Sequence, residues 1–230
     1  MMKLPRWLSA DPAYRERLGH YTLRDTLAAL LYYLGILVAY YAMGRALVLT
    51  GRYYGVPVSF ALMLIPVLLC RCSLSSIGLS PRNLGPALVA SGLIGGGFLL
   101  AYTIIPGIVR GAKLLPLKTI AYNVFYYFVV IGLSEEISFR GFIQPRLYPL
   151  LKREWLVVLV GGVLFVGMHY PFQMAARNMT FGEYWPLFIG NAPMQFLWHL
   201  AFTWLYRRYG NLYGSAVLHG CVDMCAGIFA

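Results

Sequence analysis

The sequence predicts an all-α, polytopic membrane bundle of about seven transmembrane helices. Two observations carry that expectation. The 230 residues are 60% apolar with a mean hydropathy of +0.66, and only 12% are charged, roughly half the share of an ordinary soluble domain. The apolar residues also gather into seven runs, at 27–43, 56–69, 84–105, 120–144, 155–170, 185–206 and 212–229, each long enough or nearly long enough to cross hydrocarbon. The chain reads as a single integral membrane domain over 1–230, with membrane lipids as its solvent.

Residues 1–24 precede the first run and carry charges on both sides of Trp7 and Tyr14. They read as a cytoplasmic, interfacial segment with an amphipathic helix. The first run lacks a small-residue cleavage site, so no signal peptide is expected. Pro81-Arg82-Asn83 separates the second run from the third. Within the third, Ser91, Gly92, Gly95, Gly96 and Gly97 form overlapping small-xxx-small pairs that allow close helix packing. Pro106-Gly107, followed by Arg110 and Lys113, closes it, and Pro145 with Pro149 ends the fourth run.

The formal charge is +11, but the basic residues stand singly at the ends of apolar runs rather than in a stripe, which argues against nucleic acid as a partner. They serve as topology signals. With the N-terminus inside, Lys3, Arg6, Arg15, Arg17, Arg24, Arg71, Arg82, Arg146, Lys152, Arg153, Arg207 and Arg208 face the cytoplasm; Arg45, Arg52, Arg110, Lys113, Lys118 and Arg177 face out. That excess favours a cytoplasmic N-terminus. Cys70, Cys72, Cys221 and Cys225 lack zinc-ribbon spacing and read as filler. Asn178-Met-Thr180 matches a glycosylation sequon, which matters only in a eukaryotic secretory protein.

Sorting the ionisable residues by depth leaves few inside spans. Glu135, Glu136, Arg140 and Asp223 are at membrane depth, with His169, His199 and His219. An ionisable group there costs about 3 kcal/mol on insertion scales and is a functional hypothesis by default. Three constellations emerge. Glu136 and Arg140 are four apart and share a helix face, while Glu135 is rotated about 100° from its neighbour. Two acids and one base leave a net negative site that needs a proton or a cation from another helix. Phe165 and His169 share a face, with Pro171 weakening the helix just beyond. His219 and Asp223 share a face, and an acid there can fix the imidazole tautomer. His199, flanked by Phe196, Trp198 and Leu200, is read as structural and without a polar neighbour on its own helix face.

Glu135-Glu136-x3-Arg140, Phe165-x3-His169 and His219-x3-Asp223, in that order on separate helices, resemble the three motifs of the CAAX-protease and bacteriocin-processing family (also called Abi) of intramembrane glutamate proteases. The resemblance covers residues 120–230; the first half carries no motif of that kind. It implies a peptidase in which Glu135 and His169 activate a water, His219 stabilises the oxyanion, and Glu136 and Arg140 orient the site. Amide hydrolysis does require a base beside the attacking water and donors aimed at the developing negative oxygen. Many members carry Asn at the position of Asp223, and an ionised Asp cannot donate to an oxyanion; Asp223 is therefore expected to orient His219 rather than to donate.

No cofactor is expected. Glu135, His169 and His219 could in donor type form a His2Glu zinc set, but no His-Glu-x-x-His run is present and the family resemblance disfavours metal. The expected substrate is a peptide or membrane-associated protein, either a prenylated C-terminus or a leader peptide. It would enter a water-admitting cavity open to the cytoplasm and lined by the aromatic face of residues 122–128. A prokaryotic plasma membrane is the expected location. Two competing functions are a non-catalytic peptide-binding or bacteriocin-immunity protein and a proton-coupled carrier.

Overall fold

The computed structural model describes residues 9–69 and 74–230. Lys3, Arg6, Trp7, Cys70, Arg71 and Cys72, used above for topology and cysteine usage, lie outside the described residues. Among the described residues the regular structure is helical, joined by short loops, with one isolated antiparallel bridge, Leu114 to Phe229. The principal helices are α1 (Pro12–His20), α2 (Leu23–Thr50), α3 (Gly55–Leu69), α4 (Leu84–Val109), α5 (Leu117–Leu151), α6 (Glu154–Ala176), α7 (Phe181–Tyr209) and α8 (Tyr213–Asp223).

All seven apolar runs become helix, but unequally. Helices α2, α4, α5 and α6 are long and apolar enough to cross a membrane. Helix α7 has 29 residues, yet Asn191, Gln195 and His199 interrupt its apolar surface. The last run falls short of a span. Helix α8 has only 11 residues, about 16 Å at 1.5 Å per residue, against roughly 30 Å of hydrocarbon. Beyond it the chain pairs with the α4–α5 loop, where Leu115 N–H donates to Ile228 O at 3.0 Å and Ala230 N–H to Lys113 O at 2.8 Å.

Local sequence sets the ends. Asp11 caps α1 by accepting from Ala13 N–H at 2.9 Å, and it also receives Arg82 Nε at 3.1 Å. Helix α1 buries Tyr14 and Leu18 in the bundle core. At the start of α2, Thr22 N–H donates to Asp25 at 2.8 Å, and Gly51, at φ 68°, ends the helix in the left-handed conformation that glycine adopts without a Cβ penalty. Leu27, Leu31, Leu34 and Val38 on α2 are exposed, as a lipid-facing stripe should be, whereas Ala29, Tyr32, Tyr33 and Ile36 face inward.

Helix α5 is wound loosely around the acids. Tyr126–Leu133 and Ile137–Ile143 follow the wider i→i+5 pattern, with the α-helical turn Ser134–Glu136 between them; such π segments recur at functional sites. Gly132 lets α8 come close: a Cβ there would sit 3.0 Å from Ala216 O and 3.3 Å from Gly220 N.

Polar contacts tie the helices together at both ends of the bundle. At one face, Thr26 bonds Arg146 O at 2.6 Å, Asp11 N–H bonds Arg207 O at 2.7 Å, and Arg207 pairs with Glu154 at 2.6 Å. At the other, Arg45 donates to Asn178 at 2.6 Å, which accounts for the sequon asparagine as a packing contact between α2 and the α6–α7 turn. The first is called here the N-terminal face.

Candidate active site

The three constellations meet. Glu136 and Arg140, both fully buried, pair at 2.9 Å on α5 as their four-residue spacing predicts. Phe165 of α6 lies over the guanidinium, ring centroid to Cζ 4.2 Å, and Phe202 of α7 stands 5.2 Å from it. Two aromatic faces and a carboxylate thus hold one cation where water cannot.

His219 of α8 is fixed by the same acid. Its Nδ1 donates to Glu136 Oε1 at 3.0 Å, and its ring stacks on Phe202 at 4.5 Å and 16°. Asp223 is expected to orient His219, and it is Glu136 that holds the ring at Nδ1. Asp223 Oδ2 instead lies 3.6 Å from Nε2, the opposite nitrogen, and Glu135 Oε2 lies 3.8 Å from that same atom. The i, i+4 relation of His219 and Asp223 holds, but it directs the carboxylate to the nitrogen that faces the cavity.

On α6, His169 Nδ1 donates to Phe165 O at 2.9 Å. A carbonyl only accepts, so Nδ1 carries the hydrogen and Nε2 keeps its lone pair. Pro171 does not interrupt α6, which continues to Ala176. Glu135 is buried, and its Oε1 receives the Tyr40 hydroxyl of α2 at 3.4 Å. Its Oε2 has no hydrogen-bond partner among the described residues.

Glu135, Phe165, His169, His219 and Asp223 line one cavity of about 460 Å³, together with Tyr126, Tyr127, Ile131, Gln173, Gln195, Trp198, Phe202 and Val222. Of the aromatic stretch expected to line it, Tyr126 and Tyr127 do so; Tyr122 is 53% exposed and Phe128 lines a separate apolar hollow. On each helix the lining residues run from the acid and histidine level away from the N-terminal face: 126–135 on α5, 165–173 on α6, 195–202 on α7 and 219–223 on α8. The half toward the N-terminal face is filled by Phe139, Phe142, Ile143, Leu205 and Tyr206. The lined cavity therefore sits in the half of the bundle away from the N-terminal face.

His199, expected to lack a polar neighbour on its helix face, has polar partners. Its Nδ1 accepts from Arg140 at 3.0 Å, and its Nε2 donates to Val158 O at 3.1 Å. The sequence carried a signal for this that was passed over: Gln195 and Thr203 lie four residues before and after it, and Thr203 Oγ1 is 3.4 Å from Nε2. Gln173, four residues after His169, was likewise detectable by spacing. Tyr40 was not, since nothing local in the first apolar run marks it. Among the described residues no cluster of three or more His, Cys, Asp or Glu is arranged to hold a metal ion.

Residues 117–225, which contain α5 through α8, match a family model described as type II CAAX prenyl endopeptidase Rce1-like. No curated protein and no solved structure matches the chain.

Proposed function

We propose that this integral membrane protein cleaves a peptide bond by glutamate-activated water, a reading supported by the match of residues 117–225 to the type II CAAX prenyl endopeptidase Rce1-like model. The observation that carries the reading is convergence: Glu135, His169 and His219, from α5, α6 and α8, border one cavity.

In this reading a water donates one hydrogen to Glu135 Oε2 and the other to the lone pair of His169 Nε2, so that its oxygen points at the carbonyl carbon. The carboxylate takes the proton as the new C–O bond forms. His219, in its imidazolium form and held from behind by Glu136, donates from Nε2 to the oxyanion. When the C–N bond breaks, Glu135 returns the proton to the leaving nitrogen. Arg140, clamped by Phe165 and Phe202, fixes Glu136 and so acts through His219. Asp223 supports the charge on His219 from the cavity side. No metal takes part in this scheme.

The substrate is an extended peptide or the tail of a membrane-associated protein, seated against Tyr126, Tyr127 and Trp198. The excess of basic residues at the N-terminal face makes that face cytoplasmic, and the cavity half then lies toward the other side. That disposition suits a leader-bearing peptide better than a prenylated tail presented from the cytoplasm.

The test compares membrane peptides from cells making the native protein with those from cells making Glu135→Gln. Accumulation of an uncut precursor in the variant supports proteolysis and identifies the substrate. Indistinguishable peptide profiles, with the variant present at normal level, contradict it. A binding protein predicts the same peptides bound by both forms, and a carrier predicts uptake driven by a pH gradient in liposomes.

A further inference from the structure

Hydrolysis within hydrocarbon consumes one water per turnover, and a peptide filling the large cavity would close that cavity as a route of entry. Glu135 and His169 border a second hollow, on the side of α2 and α3, with a volume of about 140 Å³. Tyr40, Tyr53, Ser59 and Gln173 join them in its wall. Water occupies a protein cavity when two to four polar partners converge on a space of sufficient size, and each molecule takes about 30 Å³ in the liquid. The hollow meets both conditions for several waters.

The carboxylate of Glu135 spans the two spaces. Its Oε1 receives Tyr40, which lines the small hollow and not the large one. Its Oε2 is the oxygen 3.8 Å from Nε2 of His219, a residue that lines the large cavity and not the small one. At the outer end Tyr53 is 45% exposed, and its hydroxyl lies 2.6 Å from that of Tyr126, which lines the large cavity.

We propose that the small hollow stores the water consumed at the site, and that Tyr40 is a positioning residue that holds Glu135 between the two spaces. This rests on the hydrolytic reading above. In each cycle the O–H bond of one water breaks, its proton passes to Glu135, and its oxygen bonds to the carbonyl carbon. The proton leaves with the amine, and a second water moves in from the hollow. Helices α2 and α3, which lie outside the family-matched segment, thus contribute the supply of co-substrate.

The experiment uses the full-length protein in liposomes with a cleaved peptide, narrowing the hollow from two helices. Ser59→Thr, Ser59→Val and Ser59→Leu fill it stepwise from α3, and Met43→Phe, at a residue that also lines it, fills it from α2. The expectation is a graded fall in kcat, reaching about tenfold or more at Leu, with KM changed by less than about twofold. Tyr40→Phe, which keeps the ring volume, should lower kcat severalfold at unchanged KM. Peptide capture, measured with each substitution placed in the Glu135→Gln background, should persist and so reports a folded peptide site. Constant kcat across the series overturns the proposal, as does a rise in KM at constant kcat or loss of peptide capture in both Ser59→Leu and Met43→Phe. If Glu135→Gln alone cleaves normally, the hydrolytic reading falls first; a dead Glu135→Gln with a neutral Ser59 series sinks only the water store.

Discussion

Glu136 and His219 are joined by a 3.0 Å hydrogen bond from Nδ1 to Oε1, and that oxygen also receives Arg140 at 2.9 Å. One carboxylate oxygen therefore ties α5 to α8 and sets the direction of the imidazole. Glu136→Gln leaves only a neutral acceptor between two donors, and its kcat should fall by about 10²–10³, the usual effect of disturbing an oxyanion donor. Asp223→Asn leaves that bond intact and should keep kcat within about tenfold of native. Steady-state cleavage of one peptide by both variants decides the matter. A dead Asp223→Asn beside an active Glu136→Gln would reverse the assignment.

Arg140 sits where no water reaches it, with Glu136, His199 and two phenylalanine rings around it. Arg140→Met leaves the buried Glu136 carboxylate with His219 as its one remaining cationic partner and should cost about 3–5 kcal/mol of stability. The double variant Glu136→Leu with Arg140→Met should regain part of that loss, because the buried carboxylate and the guanidinium are removed together. Thermal unfolding in a fixed detergent reads the difference. Equal stability of the single and double variants would show that the pair does not act as a unit.

The pairs four residues apart were readable because helical geometry alone brings them to one face, and Glu136–Arg140 formed as spaced. What joins α5 to α6, α7 and α8 was not readable, because the partner of a buried group is chosen by tertiary packing. His219 shows the difference. Its own helix offers Asp223 at the expected spacing, yet a residue 83 positions earlier in the chain holds Nδ1. The length of α8 was misjudged for a related reason. Residues 212–229 are apolar enough to span, but the helix ends at Asp223 and the tail pairs with the α4–α5 loop.

The large cavity lies in the half of the bundle away from the N-terminal face, so membrane orientation decides which compartment supplies substrate. In a background with the four native cysteines replaced, single cysteines at Lys118 or Arg177 should react with a membrane-impermeant thiol reagent on intact cells. Cysteines at Lys152 or Arg153 should react only after lysis. The opposite labelling would put the cavity half on the cytoplasmic side and restore a prenylated cytoplasmic tail as the better substrate.

Glutamate-activated water needs no metal, so protein purified through chelating resin should keep its turnover and hold no stoichiometric zinc by elemental analysis. Loss of cleavage on chelation, restored by zinc alone, would turn Glu135, His169 and His219 from base, orienter and donor into ligands.

The central claim is that the Glu135 carboxylate accepts a proton from water in the rate-determining chemistry. Its most direct test is turnover of a purified peptide by Glu135→Gln, which replaces one carboxylate oxygen with an amide nitrogen at almost no change in volume. The account predicts a kcat lower by at least about 10²–10⁴, with unfolding temperature and peptide affinity near native. Cleavage at the native rate by a folded Glu135→Gln protein would contradict it.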